Sequence, residues 1–96
     1  MDNLQLGRWR NISAVDVLLA LADYVKQDPT FVPRTSKSST RWNAKAANRE
    51  FEFLCTGTKF FDTRAQKGGG GTVDLAMYLF ELDFNSAVKL LRDRGI

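Results

Sequence analysis

Phe60 and Phe61 stand between Lys59 and Arg64, and Trp42 stands between Arg41 and Lys45, so flat aromatic surfaces interleave with cations along two short stretches. Single-strand binders use that mixture. The ring stacks on a base whatever its identity, while lysine and arginine neutralise the phosphates on either side. A second candidate is Gly68-Gly-Gly-Gly71, where bare backbone amides ahead of a helical stretch can meet a phosphate oxygen. The same run serves equally as a structural hinge. It is no nucleotide fingerprint, because Thr72-Val73 follows it in place of Lys-Ser/Thr and no hydrophobic strand leads into it. The candidate DNA contacts are therefore Arg41, Lys45, Lys59, Arg64 and Lys67 to phosphates, Phe61 to a base, and the amides of Gly69 and Gly70 to the backbone.

What is missing narrows the chemistry. The chain has no histidine and a single cysteine, so neither a conventional zinc site nor a histidine-based catalytic centre can be assembled. Cys55, between Leu54 and Thr56 in an apolar run, reads as a small buried hydrophobe rather than a reactive thiol. Glu50 and Glu52 share one strand face with no general-base partner, which suits solvated carboxylates. No catalytic residue, metal or cofactor is expected. From Arg34 to Lys67 there are eight basic residues against three acidic ones, while the rest of the chain is mildly acidic. A basic middle suits a surface that meets a polyanion, although a solvated basic face with no ligand has the same composition.

These residues need elements to hold them. At 96 residues, 44% hydrophobic and with only two prolines, the chain has the composition of one folded domain. Ser13 lies three residues before Asp16, and Val15, Leu18, Leu19 and Ala22 follow at helical spacing, predicting a helix from about Ser13 to Val25. Pro29 and Pro33 break it, and 35–40 reads as a flexible loop. From Arg41 the period falls to two: Trp42, Ala44 and Ala46, then Phe51, Phe53 and Cys55, flank an Ala47-Asn48-Arg49 turn. Thr56-Gly57-Thr58 turns into a third strand, Lys59 to Thr63, whose two phenylalanines must face opposite sides; Phe61 is taken as the exposed one. After the glycines, Thr72 is placed as the cap of a short helix, and Asp83 as the cap of another that stops at Gly95. The expected fold is α+β: an N-terminal helix, a three-stranded antiparallel meander, a glycine loop and two C-terminal helices.

On these motifs the half from Phe51 to Ile96 resembles the zinc-binding domain of bacterial primases. Lys59-Phe-Phe-Asp62 is similar to that family's aromatic strand, Gly70-Gly-Thr-Val-Asp-Leu75 to its glycine turn, and Leu82-Asp-Phe-Asn-Ser-Ala-Val88 to the start of its final helix. Where the family carries Cys-x-x-Cys, this chain reads Arg64-Ala-Gln-Lys67, so it looks like the zinc-less variants of plasmid and integrative-element proteins with Toprim-type domains. The resemblance implies a zinc-ribbon-like fold without metal and a template-binding role on single-stranded DNA. An apolar core of Trp42, Phe51, Phe53 and Phe60 would take over the folding energy that zinc ordinarily supplies.

The expected function is that of a DNA-binding accessory domain of replication, primase or plasmid-transfer machinery, either a whole protein or the front of a larger one. The alternative is a module that docks a polymerase, helicase or relaxase through its first helix. No stretch is long and apolar enough for a membrane span and no secretory signal is visible, so a cytoplasmic location is expected.

Overall fold

The computed structural model describes residues 3–32 and 39–96. The elements run α1 (Asn3–Arg10), α2 (Ala14–Leu21), β1 (Tyr24–Gln27), β2 (Thr40–Ala46), β3 (Arg49–Thr56), β4 (Lys59–Asp62), β5 (Lys67–Gly70), α3 (Thr72–Phe80) and α4 (Phe84–Asp93). The class is α+β as expected, but the meander has five strands in chain order, all antiparallel, instead of three.

Alternation sets the two faces of the sheet. On one, Ala44 and Ala46 of β2, Phe51, Phe53 and Cys55 of β3, and Phe60 and Asp62 of β4 are all buried. Cross-strand pairs such as Ala44 with Phe51 and Cys55 with Phe60 put them on the same side. The helices cover that side with Trp9, Val17, Leu18, Leu21, Leu75, Leu79 and Leu91. Trp42, half-buried, packs at the margin of this core and donates its Nε1–H to Thr40 Oγ1 at 2.7 Å. Among the described residues no helix lies on the other face, and none of its side chains is buried.

Three departures from the expected fold have local causes. The helix expected over 13–25 stops at Leu21: Ser13 caps α2 by accepting from the Asp16 N–H at 3.1 Å, but Ala22 already has extended backbone. Tyr24 and Val25 then join the sheet as β1, because Val25 pairs with Ala44 and joins the core margin on the sheet's terms. A further helix, α1, precedes it and anchors both chain ends through Trp9, whose Nε1–H donates to the Ile96 carbonyl at 2.8 Å. Of the loop expected over 35–40, residues 35–38 lie outside the described residues, and Thr40 already opens β2.

The glycine run is not a loop. Lys67–Gly70 is edge strand β5, paired along β4, and only Gly71, at φ 95°, leaves the strand to start α3. The reason lies in the two phenylalanines. A Cβ on Gly69 would come within 2.9 Å of Phe60 Cζ on the core face, and one on Gly68 within 3.1 Å of Phe61 Cδ2 on the other. Each ring lies over a bare stretch of edge strand, an arrangement that shields glycines otherwise poor at holding a strand. Gly71 rather than Thr72 is the N-cap of α3; Thr72 is buried and donates its hydroxyl to the Trp9 carbonyl at 2.6 Å. Asp83 caps α4 as expected, accepting from the Ser86 N–H at 2.8 Å.

Candidate nucleic-acid interface

The uncovered sheet face carries most of the residues singled out from the sequence. Cross-strand pairing makes one row of Arg41, Leu54, Phe61 and Gly68, a second of Thr56, Lys59 and Gly70, and a third of Tyr24, Lys45 and Glu50. Phe60 is 5% exposed, whereas Phe61, beside it, is half-buried on the opposite side. Its neighbour on β5 is Gly68, so no side chain walls off that flank of the ring. Phe61 and Leu54 thus form a short apolar strip in a polar surface.

Lys45, Lys59 and Arg64 are exposed, and their side chains make no ion pair or hydrogen bond among the described residues. Exposed cations without partners keep their full field for an incoming phosphate. Arg41 is differently placed. Its Nε–H donates to Asp28 Oδ2 at 2.8 Å, its guanidinium lies 5.2 Å from the Phe31 ring centroid, and it fastens the end of β1 to β2. Hydrogen bonds from the Thr30 hydroxyl and amide, with Arg41 next in line, hold the Asp28 carboxyl down at about 2. Arg41 therefore enters the face as part of a neutral pair.

Two other expected contacts do not join the group. Lys67 pairs with Asp62, so by alternation it stands on the helix-covered side of the sheet, exposed at its edge and pointing away from Phe61. Of the amides expected to meet a phosphate, that of Gly70 already faces Asp74 Oδ2 at 3.4 Å, and just beyond it the Gly71 N–H donates to the Thr58 carbonyl at 3.0 Å. The same Asp74 oxygen lies 3.4 Å from where a Gly69 Cβ would be. A carboxylate in the first turn of α3 complements the helix dipole and repels an anion from Gly69 and Gly70.

Tyr24 and Asn43 belong to the face and were not expected there. Tyr24 is 52% exposed and pairs with Lys45. Together with Asn43, Ala44, Lys45, Glu50, Phe51 and Arg64 it lines a shallow cleft of about 250 Å³. Tyr24 was hidden because its spacing continues that of α2, and Asn43 because nothing but strand alternation marks it. Acidic residues temper the face: Glu50 stands opposite Lys45, and Glu52 accepts from the Thr63 hydroxyl at 2.7 Å.

Beneath the face the turn that carries Arg64 is built on Asp62. Its Oδ1 accepts the amides of Arg64 and Ala65 at 3.0 and 3.1 Å, and its Oδ2 accepts the Tyr78 hydroxyl. Tyr78 tilts against Phe51, Phe53 and Phe60, with ring centroids 5.9 to 6.0 Å apart. Burial first, and Asp62 second, push the tyrosine hydroxyl up to about 12. Cys55 is buried on the core side of β3, where desolvation pushes its thiol up to about 12 and keeps it protonated and unreactive. Among the described residues no three histidine, cysteine or carboxylate side chains cluster as metal ligands would.

No protein-family model and no solved structure matches this chain. Among curated proteins, a "65 kDa protein" of Zymomonas mobilis subsp. mobilis is 43% identical over 44 residues, which is 46% of this chain. The chain spans 8% of that relative's length. The likeness is local, between part of this domain and a small part of a much longer protein.

Proposed function

We propose that this domain binds single-stranded DNA across the uncovered face of its sheet, as a non-enzymatic accessory module of a replication or plasmid-transfer protein. The observation that carries the reading is the juxtaposition of Phe61 with the unpaired Lys59, Lys45 and Arg64 on a face that no helix covers. Phe61 stacks a base, the three cations lie along the phosphates, and the uncovered meander lets an unpaired strand run across β2 to β4. Arg41 contributes structure rather than charge, and Lys67, Gly69 and Gly70 take no part.

The resemblance to primase zinc-binding domains supports the same reading. The turn at Arg64-Ala-Gln-Lys67, where that family places a cysteine pair, is closed here by the Asp62 carboxylate and Tyr78, so hydrogen bonds stand in for metal. A local match inside a much longer protein accords with a module that forms part of larger chains. A second reading, a protein-docking module, is favoured by Leu19 of α2, an aliphatic side chain 57% exposed on the helix expected to dock a partner.

The test is Phe61→Ala in a binding assay with a labelled oligonucleotide. Because the half-buried ring also covers Gly68 of β5, Phe61→Leu, which keeps an apolar side chain there but removes the stacking plane, is measured beside it; in both, affinity for single-stranded DNA falls about tenfold, within the range measured for losing one stacked base. Unchanged affinity would remove Phe61 from the interface.

A further inference from the structure

The cleft lined by Tyr24, Asn43, Lys45, Glu50 and Arg64 is the only part of the uncovered face, among the described residues, where an exposed ring, an unpaired carboxylate and unpaired cations converge. Lys45 and Glu50 are direct cross-strand partners and Tyr24 is the partner of Lys45 on the next strand, so the three side chains rise from one row at strand spacings of about 4.8 Å. They make no salt bridge with each other. A donor and a two-oxygen acceptor therefore stand side by side beside an aromatic ring.

We propose that this cleft holds one guanine of the bound single strand. This guanine site presupposes that the uncovered face is a single-strand surface. Guanine alone among the bases presents an acceptor followed by two adjacent donors, O6, N1–H and N2–H, along its Watson–Crick edge. Glu50 accepts from N1–H and N2–H with its two oxygens, Lys45, which lies along a phosphate when another base is present, donates to O6, the Tyr24 ring stacks on the base, and Arg64 takes the adjoining phosphate. Cytosine and adenine offer one donor next to a ring nitrogen lone pair, which faces the second Glu50 oxygen repulsively. Thymine offers one donor flanked by two acceptors. A duplex hides this edge altogether, so the selectivity belongs to unpaired DNA.

The test measures anisotropy of labelled short oligothymidylate and of the same strand with one central guanine, adenine or cytosine, using the wild-type chain and Glu50→Gln. Glutamine removes one acceptor and adds a donor without changing shape, and at this exposed position it leaves the fold intact. The central guanine is expected to tighten binding about tenfold over the other strands, in keeping with a bidentate base contact, and Glu50→Gln to abolish that preference without weakening oligothymidylate binding. Equal affinity for all four strands, or a guanine preference that survives Glu50→Gln, would overturn the cleft assignment and leave the sheet-face reading standing. Failure to bind any strand at low salt would overturn both.

Discussion

Tyr78 and Asp28 bend the molecule's answer to pH in opposite directions. Tyr78 donates to Asp62 and keeps its proton up to about 12, above the ordinary tyrosine value of 10.0. A folded value above the unfolded one favours the folded state below pH 10, and that contribution fades as pH rises from 10 through about 12. Thermal melts of the wild type should fall across that window, and Tyr78→Phe should be less stable at neutral pH yet show a flatter alkaline slope. Asp28 has the opposite sign. Its carboxyl lies at about 2, below the ordinary 3.8, so its contribution is present above pH 3.8 and is lost as pH falls toward 2. The difference in melting temperature between wild type and Asp28→Asn should accordingly be greatest near neutrality and shrink between pH 4 and 2. The residue scale is also where sequence reasoning reached furthest. Alternation alone separated Phe60 from Phe61 and placed Cys55 inside, whereas the pairing of Arg41 with Asp28 spans a stretch whose path no periodicity reveals.

The strands differ in how plainly they can be read, and for physical reasons. β2, β3 and β4 were legible because one face is buried and the other is not, so large apolar or small residues recur at every second position along the buried face. β1 was illegible because Val25 falls at helical spacing from Leu18 and Leu21, with neither glycine nor proline to end the helix between them. β5 was illegible because glycine carries no side chain to alternate and has low strand propensity; its strand status comes from the rings of Phe60 and Phe61 laid over it. Gly69→Ala puts a methyl group against Phe60 and should destabilise the domain by about 1–3 kcal/mol by overpacking, read as a lower denaturant midpoint. Gly70→Ala, whose Cβ would meet only the flexible Lys59 side chain at 3.7 Å, should cost much less. Equal losses would mean that backbone entropy rather than ring packing explains the run.

The whole molecule divides the labour between two sides of one sheet. Among the described residues four helices bury the aromatic side, and none of them is long and apolar enough to cross a membrane. The other side is left with Tyr24, Phe61 and the unpaired Lys45, Lys59 and Arg64. The α+β class and the three central strands could be read from the chain; the five-stranded sheet that gathers Tyr24 and Arg64 at one cleft is a tertiary outcome, since the two lie on opposite outer parts of the meander. The central claim is that this face is a single-strand surface held largely by phosphate contacts, and titrating the chain into labelled oligothymidylate at several salt concentrations tests it most directly. Three neutralised phosphates predict that log affinity falls with log salt with a slope of about −2, and that charge reversal at Lys59 and Arg64 makes the slope shallower. A salt-independent affinity, or no binding at low salt, would contradict the account and leave the exposed Leu19 side of α2 as the surface to pursue.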